Sequence, residues 1–222
     1  MEADFWHDRW ENNLTGFHLD EVNQYLKASW SVLDLKPGAR VFVPLCGKSL
    51  DLIWLAEQGY EVIGIELSPL AVQAFFTENN LTAEQTAVNG LEYWKSGKIS
   101  LYCGDFFALT AQILGKVDAV YDRASLIALP PAMREEYAAK LTEITQSAPK
   151  LLVTLEYEQA KMDGPPFSVS ENEVKALYEA NYQVKLLTAQ DVLGNNEKFQ
   201  ERGLNYMNEY SYLLVPKIAP KS

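Results

Sequence analysis

Val41-Phe42-Val43-Pro44-Leu45-Cys46-Gly47-Lys48-Ser49 passes from a short β-rich run into a bend marked by proline and glycine, and the chain continues as the apolar stretch Leu50 to Gln58. Val41 to Leu45 reads as a strand, with a helix of Leu50 to Gln58 capped by Ser49 and stopped at Gly59. That helix is apolar nearly all round, so it is expected to be well buried. Glu61 to Leu67 reads as a second strand. Ser68-Pro69 then supplies a capping residue and a proline suited to the first helical position, and Val72, Phe75 and Phe76 share one face of the helix that follows. Strand, helix, strand, helix is the alternation that builds parallel strands with helices on both faces.

Working outward, Ile99 to Cys103, Val117 to Asp122 and Leu151 to Tyr157 read as three further strands, with Tyr137, Leu141 and Ile144 at helical spacing between the last two. Ser170 and Glu173 form a capping box that starts a helix burying Val174 and Leu177. Tyr182 to Thr188 and Tyr210 to Val215 close the sheet as a hairpin-like pair. Toward the amino terminus, Phe5, Trp6, Trp10 and Phe17 precede a helix from about Asp20 with Val22, Tyr25 and Leu26 inward, and fall outside the alternation. They are expected to cap the carboxyl edge of the sheet. The fold class is therefore α/β, a Rossmann-like, mostly parallel seven-stranded sheet with helices on both faces. One domain spans residues 1–222, divided into a cap (1–36) and a core (37–218).

The bulk properties exclude several functions. The 222 residues suit one compact unit with an ordinary core, and the net charge of −11 disfavours nucleic acid and anionic membrane surfaces as partners. Neither a signal peptide nor an apolar run approaching about 20 residues is legible, so a soluble, cytoplasmic protein is expected. Cys46 and Cys103 form no CxxC pair and His7 and His18 lie in no ligand motif, so no metal site is expected.

In open α/β sheets, ligands settle outside the carboxyl ends of the strands, near the point where strand order reverses. Glu66 ends the second strand 21 positions after Leu45. A carboxylate there can accept from both hydroxyls of a ribose, because its two oxygens match a vicinal diol. Cys46-Gly47-Lys48-Ser49 ends like a phosphate-binding loop, yet Phe42 stands where that loop needs glycine. A dinucleotide fingerprint needs three spaced glycines, and only Gly47 is present. An adenosine ligand without phosphates remains, and S-adenosylmethionine is the commonest such cofactor. Asp105 can meet the adenine amino group with Phe106 over the ring, or the two can be a helix cap and a core aromatic. Asp122-Arg123 ends the fourth strand, where the arginine needs an anionic partner: Asp122, the cofactor carboxylate or an anionic substrate. Trp6 and Trp10 are not distinguished by spacing as rings for a sulfonium cation.

Taken together, these residues resemble the bacterial branch of the thiopurine S-methyltransferase family nearly end to end. The resemblance is carried by Phe5-Trp6-His7-Asp8-Arg9-Trp10, Gly16-Phe17-His18, the Val41 to Ser49 stretch, Val62-Ile63-Gly64-Ile65-Glu66-Leu67-Ser68, Ile99 to Cys103, Tyr121-Asp122-Arg123-Ala124-Ser125-Leu126 and Gly164-Pro165-Pro166-Phe167. It implies a class I methyltransferase fold, with Trp10, Leu45, Glu66 and Arg123 holding S-adenosylmethionine and Asp105 and Phe106 near its adenine. It implies Phe17 and Arg202 on the substrate side, a small-molecule thiol as partner, and a monomer. The acceptor implied is a thiopurine-like aromatic thiol, with other thiols or selenium and tellurium species as alternatives. Such an acceptor attacks as its thiolate, so no obligatory catalytic base is assigned; Asp122, or a water held by it, is the fallback. The rivals from other classes are an NAD-dependent reductase and a noncatalytic adenosine-binding module.

Overall fold

The structure is a computed structural model that describes residues 3–16, 18–195 and 197–217. In chain order its elements are α1 (Ala3–Glu11), α2 (Gln24–Ser29), β1 (Arg40–Val43), α3 (Asp51–Glu57), β2 (Glu61–Glu66), α4 (Pro69–Glu78), β3 (Glu84–Val88), β4 (Leu91–Ser96) and β5 (Ile99–Cys103). They continue as α5 (Ala111–Leu114), β6 (Ala119–Arg123), α6 (Ser125–Ala128), α7 (Pro131–Ile144), β7 (Lys150–Tyr157), α8 (Glu171–Tyr178), β8 (Tyr182–Asp191), α9 (Glu197–Gln200) and β9 (Met207–Pro216).

Among the described residues nine strands form one sheet in the order β3-β4-β5-β2-β1-β6-β7-β9-β8. Strands β5, β2, β1, β6 and β7 are mutually parallel, whereas β9 runs antiparallel to both β7 and β8. The chain builds from β1 to one side through β2 and β5, then returns to β6 on the other side of β1. The strand order therefore reverses beside β1, and the carboxyl ends of β1, β2, β5 and β6 converge there.

The count of nine corrects the expected seven. The two additional strands are the β3–β4 hairpin on the β5 edge, in register from Glu84↔Lys95 to Val88↔Leu91. Its strands are largely exposed and lack the apolar runs of the buried ones, which is why hydrophobic patterning passes over them. The signal lies in the turn instead: Asn89 and Gly90 both adopt positive φ (50° and 86°), the backbone of a two-residue hairpin turn.

Two apolar layers hold the sheet. On one face Val41, Val43, Val62, Tyr121 and Val153 pack beneath Tyr25, Leu26 and Trp30 of the amino-terminal segment, with Leu52, Leu55, Val72 and Phe75 from α3 and α4. On the other, Phe42, Ile63, Ile65, Val120 and Leu152 meet Tyr137, Leu141, Val174 and Tyr178 of α7 and α8. Two expected helix starts move. Leu50, not Ser49, occupies the cap position of α3, although Ser49 Oγ accepts from the Asp51 amide at 3.2 Å. The helix expected from about Asp20 begins at Gln24, because the Asn23 side chain accepts from the Tyr25 and Leu26 amides. The Ser170 cap closes on the Glu173 amide at 3.2 Å, as the capping box predicts.

Candidate active site

The turn after β1 is narrow because two of its residues are left-handed: Leu45 at φ 44° and Gly47 at φ 54°. A side-chain-bearing residue such as Leu45 is held there at a cost of about 1–2 kcal/mol, so the surroundings must over-determine it. They do so through three bonds. The Cys46 amide donates to Ile65 O at 3.0 Å, the Gly47 amide to Glu66 Oε2 at 2.9 Å, and Ser125 Oγ to Pro44 O at 3.3 Å. Gly64 is required beneath the turn, since a Cβ there would lie 2.7 Å from Cys46 Sγ and 2.5 Å from Leu101 Cδ2.

Glu66 is buried at the end of β2, with its second oxygen accepting from the Ser68 amide at 2.8 Å. Burial pushes its pKa up, and the amides of Ser68, Gly47 and Leu67 pull it back. Two carboxylate oxygens offer about four acceptor sites, so three amides still leave capacity for an incoming hydroxyl. Trp10 lies over the same turn: a Cβ on Gly47 would meet its ring at 3.4 Å. Trp6 belongs to a separate contact, edge to face with Phe5 at 5.2 Å.

After β5, Asp105 is exposed and caps a short turn through the Phe107 amide at 2.9 Å. Phe106 is only 2 % exposed and packs on Tyr137 with centroids 4.9 Å apart. Its ring packs as a core aromatic, one of the two readings the sequence leaves open. The Asp105 cap and the buried Phe106 are two parts of one local motif: capping the turn swings the ring under the sheet.

Successive residues of β6 face opposite layers. Asp122 points into the α7 layer, fully buried, accepting from Tyr137 OH at 2.9 Å. Burial raises its pKa to about 6 against hydrogen bonds from Ser125 and Tyr137. This corrects both roles suggested for it at the cleft: it neither partners Arg123 nor sits where a base would be reached. Arg123 faces the amino-terminal side, half-buried, and among the described residues no carboxylate pairs with its guanidinium.

Sequence reasoning missed Asp51, the hub of this side. Its Oδ1 accepts from the Asn23 amide at 2.7 Å and its Oδ2 from Tyr121 OH at 3.0 Å, joining the cap, α3 and β6. The available signal was an acid in the first turn of an otherwise apolar helix. Arg202 lies elsewhere on the carboxyl rim, donating to Met162 Sδ at 3.3 Å and standing 5.9 Å from the Phe199 ring, beside the apolar cluster of Leu155, Tyr157 and Met207. Phe17 lies outside the described residues. Cys46 and Cys103 are buried free thiols.

The rim thus joins a diol-ready carboxylate to a guanidinium that has no carboxylate partner among the described residues. The family model described as thiopurine S-methyltransferase (TPMT) matches residues 1–217. The chain belongs to that family. It is an S-adenosylmethionine-dependent methyltransferase. A thiopurine S-methyltransferase from Pseudomonas aeruginosa (strain UCBPP-PA14) is 52% identical over 215 residues, covering 96% of this chain and 99% of the relative. One from Nitrosospira multiformis is 48% identical over 220 residues, covering 99% and 100%. Among solved structures, magnesium protoporphyrin IX methyltransferase from Synechocystis PCC 6803 with bound S-adenosylmethionine superposes with a TM-score of 0.58 at 17% identity, covering 95% of this chain and 96% of that one. At that identity the likeness speaks to fold alone. No helix among the described residues is long and apolar enough to cross a membrane.

Proposed function

We propose that the rim around Gly47 holds S-adenosylmethionine and that the methyl group goes to the sulfur of a thiopurine or similar aromatic thiol. The observation that carries this is the pairing, at one rim, of a buried carboxylate with acceptor sites left over and a half-buried guanidinium with no carboxylate partner among the described residues. The residues fit the cofactor by their chemistry: Glu66 matches a ribose diol, Arg123 a carboxylate, and the face of Trp10 a cation. When bound, the sulfonium supplies an electrophilic methyl group.

The remaining work belongs to the chain. Leu45 and Gly47 keep the turn low enough for a nucleoside to approach the backbone, and Asp105 offers an acceptor to the adenine amino group, with Phe106 near the ring. Phe17 and Arg202 line the acceptor side. An acidic heteroaromatic thiol arrives as thiolate, so these residues act by position: effective concentration accounts for about 7–11 kcal/mol of such barriers, and excluding water strengthens the attraction of unlike charges. The enzyme acts as a cytoplasmic monomer on small molecules rather than on nucleic acid, the last part supported by its net charge of −11.

The test is a labelled-methyl transfer assay over aromatic thiols, alkyl thiols and metalloid oxyanions. Turnover is expected to be fastest with aromatic thiols. Label appearing on selenium or tellurium species alone would overturn the acceptor assignment, and cofactor binding without turnover over the whole panel would indicate a binding module.

A further inference from the structure

The chain connecting α1 to α2 is fastened on both sides of the rim. At its start Trp10 packs on Gly47, and at its end the Asn23 amide is held by Asp51, which is held in turn by Tyr121 of β6. His18 lies between these anchors, with its amide donating to Thr15 O at 2.8 Å. Its side chain is 16% exposed, and its Nε2 stands 3.8 Å from Asp20 Oδ1, too far for a hydrogen bond. Among the described residues neither ring nitrogen has a hydrogen-bond partner. A mostly covered imidazole with spare bonding capacity, within electrostatic reach of Lys48 of the β1 turn and Arg123 of β6, has an open position for a ligand's proton.

We propose that His18 accepts the S–H proton of acceptor thiols that do not arrive ionised, which extends the enzyme from acidic heteroaromatic thiols to ordinary ones. The inference rests on the S-methyltransferase reading above. The step is a proton transfer alone: the S–H bond breaks with its electron pair left on sulfur, the proton moves to an imidazole nitrogen, and from there it passes to solvent. The charged groups that reach the ring are Lys48 from the β1 turn, Glu78 from α4, Arg123 from β6 and Asp20 from the connection itself. Burial acts first, and with Lys48 and Arg123 holds the imidazole below its ordinary pKa of 6.5 against the opposing pull of Asp20 and Glu78, so the ring is a neutral acceptor at pH 7. A thiol of pKa about 8.5 is only about 3% ionised at that pH, which leaves at most about thirtyfold for a base to recover.

The experiment compares His18→Gln with the unaltered protein on two acceptors, a nitro-substituted benzenethiol that is ionised at pH 7 and phenylmethanethiol, which is not. At pH 7 the loss in kcat/KM with phenylmethanethiol is expected to exceed the loss with the acidic thiol by about tenfold, and the excess is expected to vanish above pH 9. Equal losses on both thiols at every pH would make His18 structural and overturn the proposal, as would failure of the unaltered protein to turn over phenylmethanethiol while using the acidic thiol. Inactivity on both would instead overturn the S-methyltransferase reading. A readout apart from turnover is the proton resonance of the His18 ring, separated from that of His7, the other histidine of the chain, by the variant spectrum. Adding phenylmethanethiol to the protein without a methyl donor is expected to shift it as the S–H hydrogen-bonds to the neutral ring, and no shift at saturating thiol would also overturn the proposal.

Discussion

The amide of Gly47 donates to Oε2 of Glu66 at 2.9 Å, so the turn after β1 and the acid that ends β2 are one rigid unit. The same carboxylate accepts from the Ser68 amide, which fixes both oxygens before any ligand arrives. Preorganisation of this kind means that the acid loses little freedom on binding.

Replacing Glu66 with alanine is expected to remove charge-assisted bonds of about 1.5–3 kcal/mol and to weaken S-adenosylmethionine about tenfold to a hundredfold. Calorimetric titration of the folded variant measures this. Unchanged affinity would end the ribose role assigned to Glu66.

Arg123→Ala is expected to weaken the cofactor by a similar factor while leaving unfolding free energy within about 0.5 kcal/mol, because no carboxylate is stranded when the guanidinium goes. Denaturant unfolding beside the titration separates the two effects. A large loss of stability would mean that the arginine serves the fold.

Asp122 has its pKa raised from 3.8 to about 6 by burial, a difference worth about 3 kcal/mol. A carboxyl raised in the folded state contributes stability that is complete below about pH 3.8 and lost as the pH rises through about 6. The stability of the unaltered protein minus that of Asp122→Asn is therefore expected to fall across this window and to level off above it. Denaturant curves at a series of pH values give the difference, and a flat difference would show that folding leaves the Asp122 pKa unshifted.

Arg134 is buried and ties two rim segments together: Nε donates to the carbonyls of Leu126 and Leu129, and Nη1 to Ser168 O and to Glu173 Oε1. Arg134→Met is expected to cost about 3 kcal/mol and to lower Tm by about 6–12 °C, with Arg134→Lys restoring little because an ammonium cannot reproduce the fork. Calorimetry of both variants decides it. Full rescue by lysine would reduce the role to charge.

Much of the fold was legible in the chain because local physics states it. Apolar runs between turn signals mark buried parallel strands, Ser68-Pro69 and Ser170-x-x-Glu173 mark helix starts, and an acid ending a strand downstream of a glycine bend marks a ligand rim. Those features are written in residues close together in sequence, and the family likeness rests on them. The β3–β4 hairpin escaped because exposed edge strands need no apolar pattern, although Asn89-Gly90 announces their turn.

Tertiary structure alone decided which face each side chain serves. A one-residue step along β6 sends Asp122 into the α7 layer and Arg123 toward the rim, and capping by Asp105 turns Phe106 inward, so residues adjacent in the chain end in different environments. Asp51, 28 residues from Asn23 and 70 from Tyr121, becomes the joint between cap and sheet only when the sheet forms. Sequence fixes residue types and local periodicity, whereas burial and partnership depend on contacts between distant segments, and for these buried polar groups the difference between a paired and an unpaired atom is the full cost of desolvation.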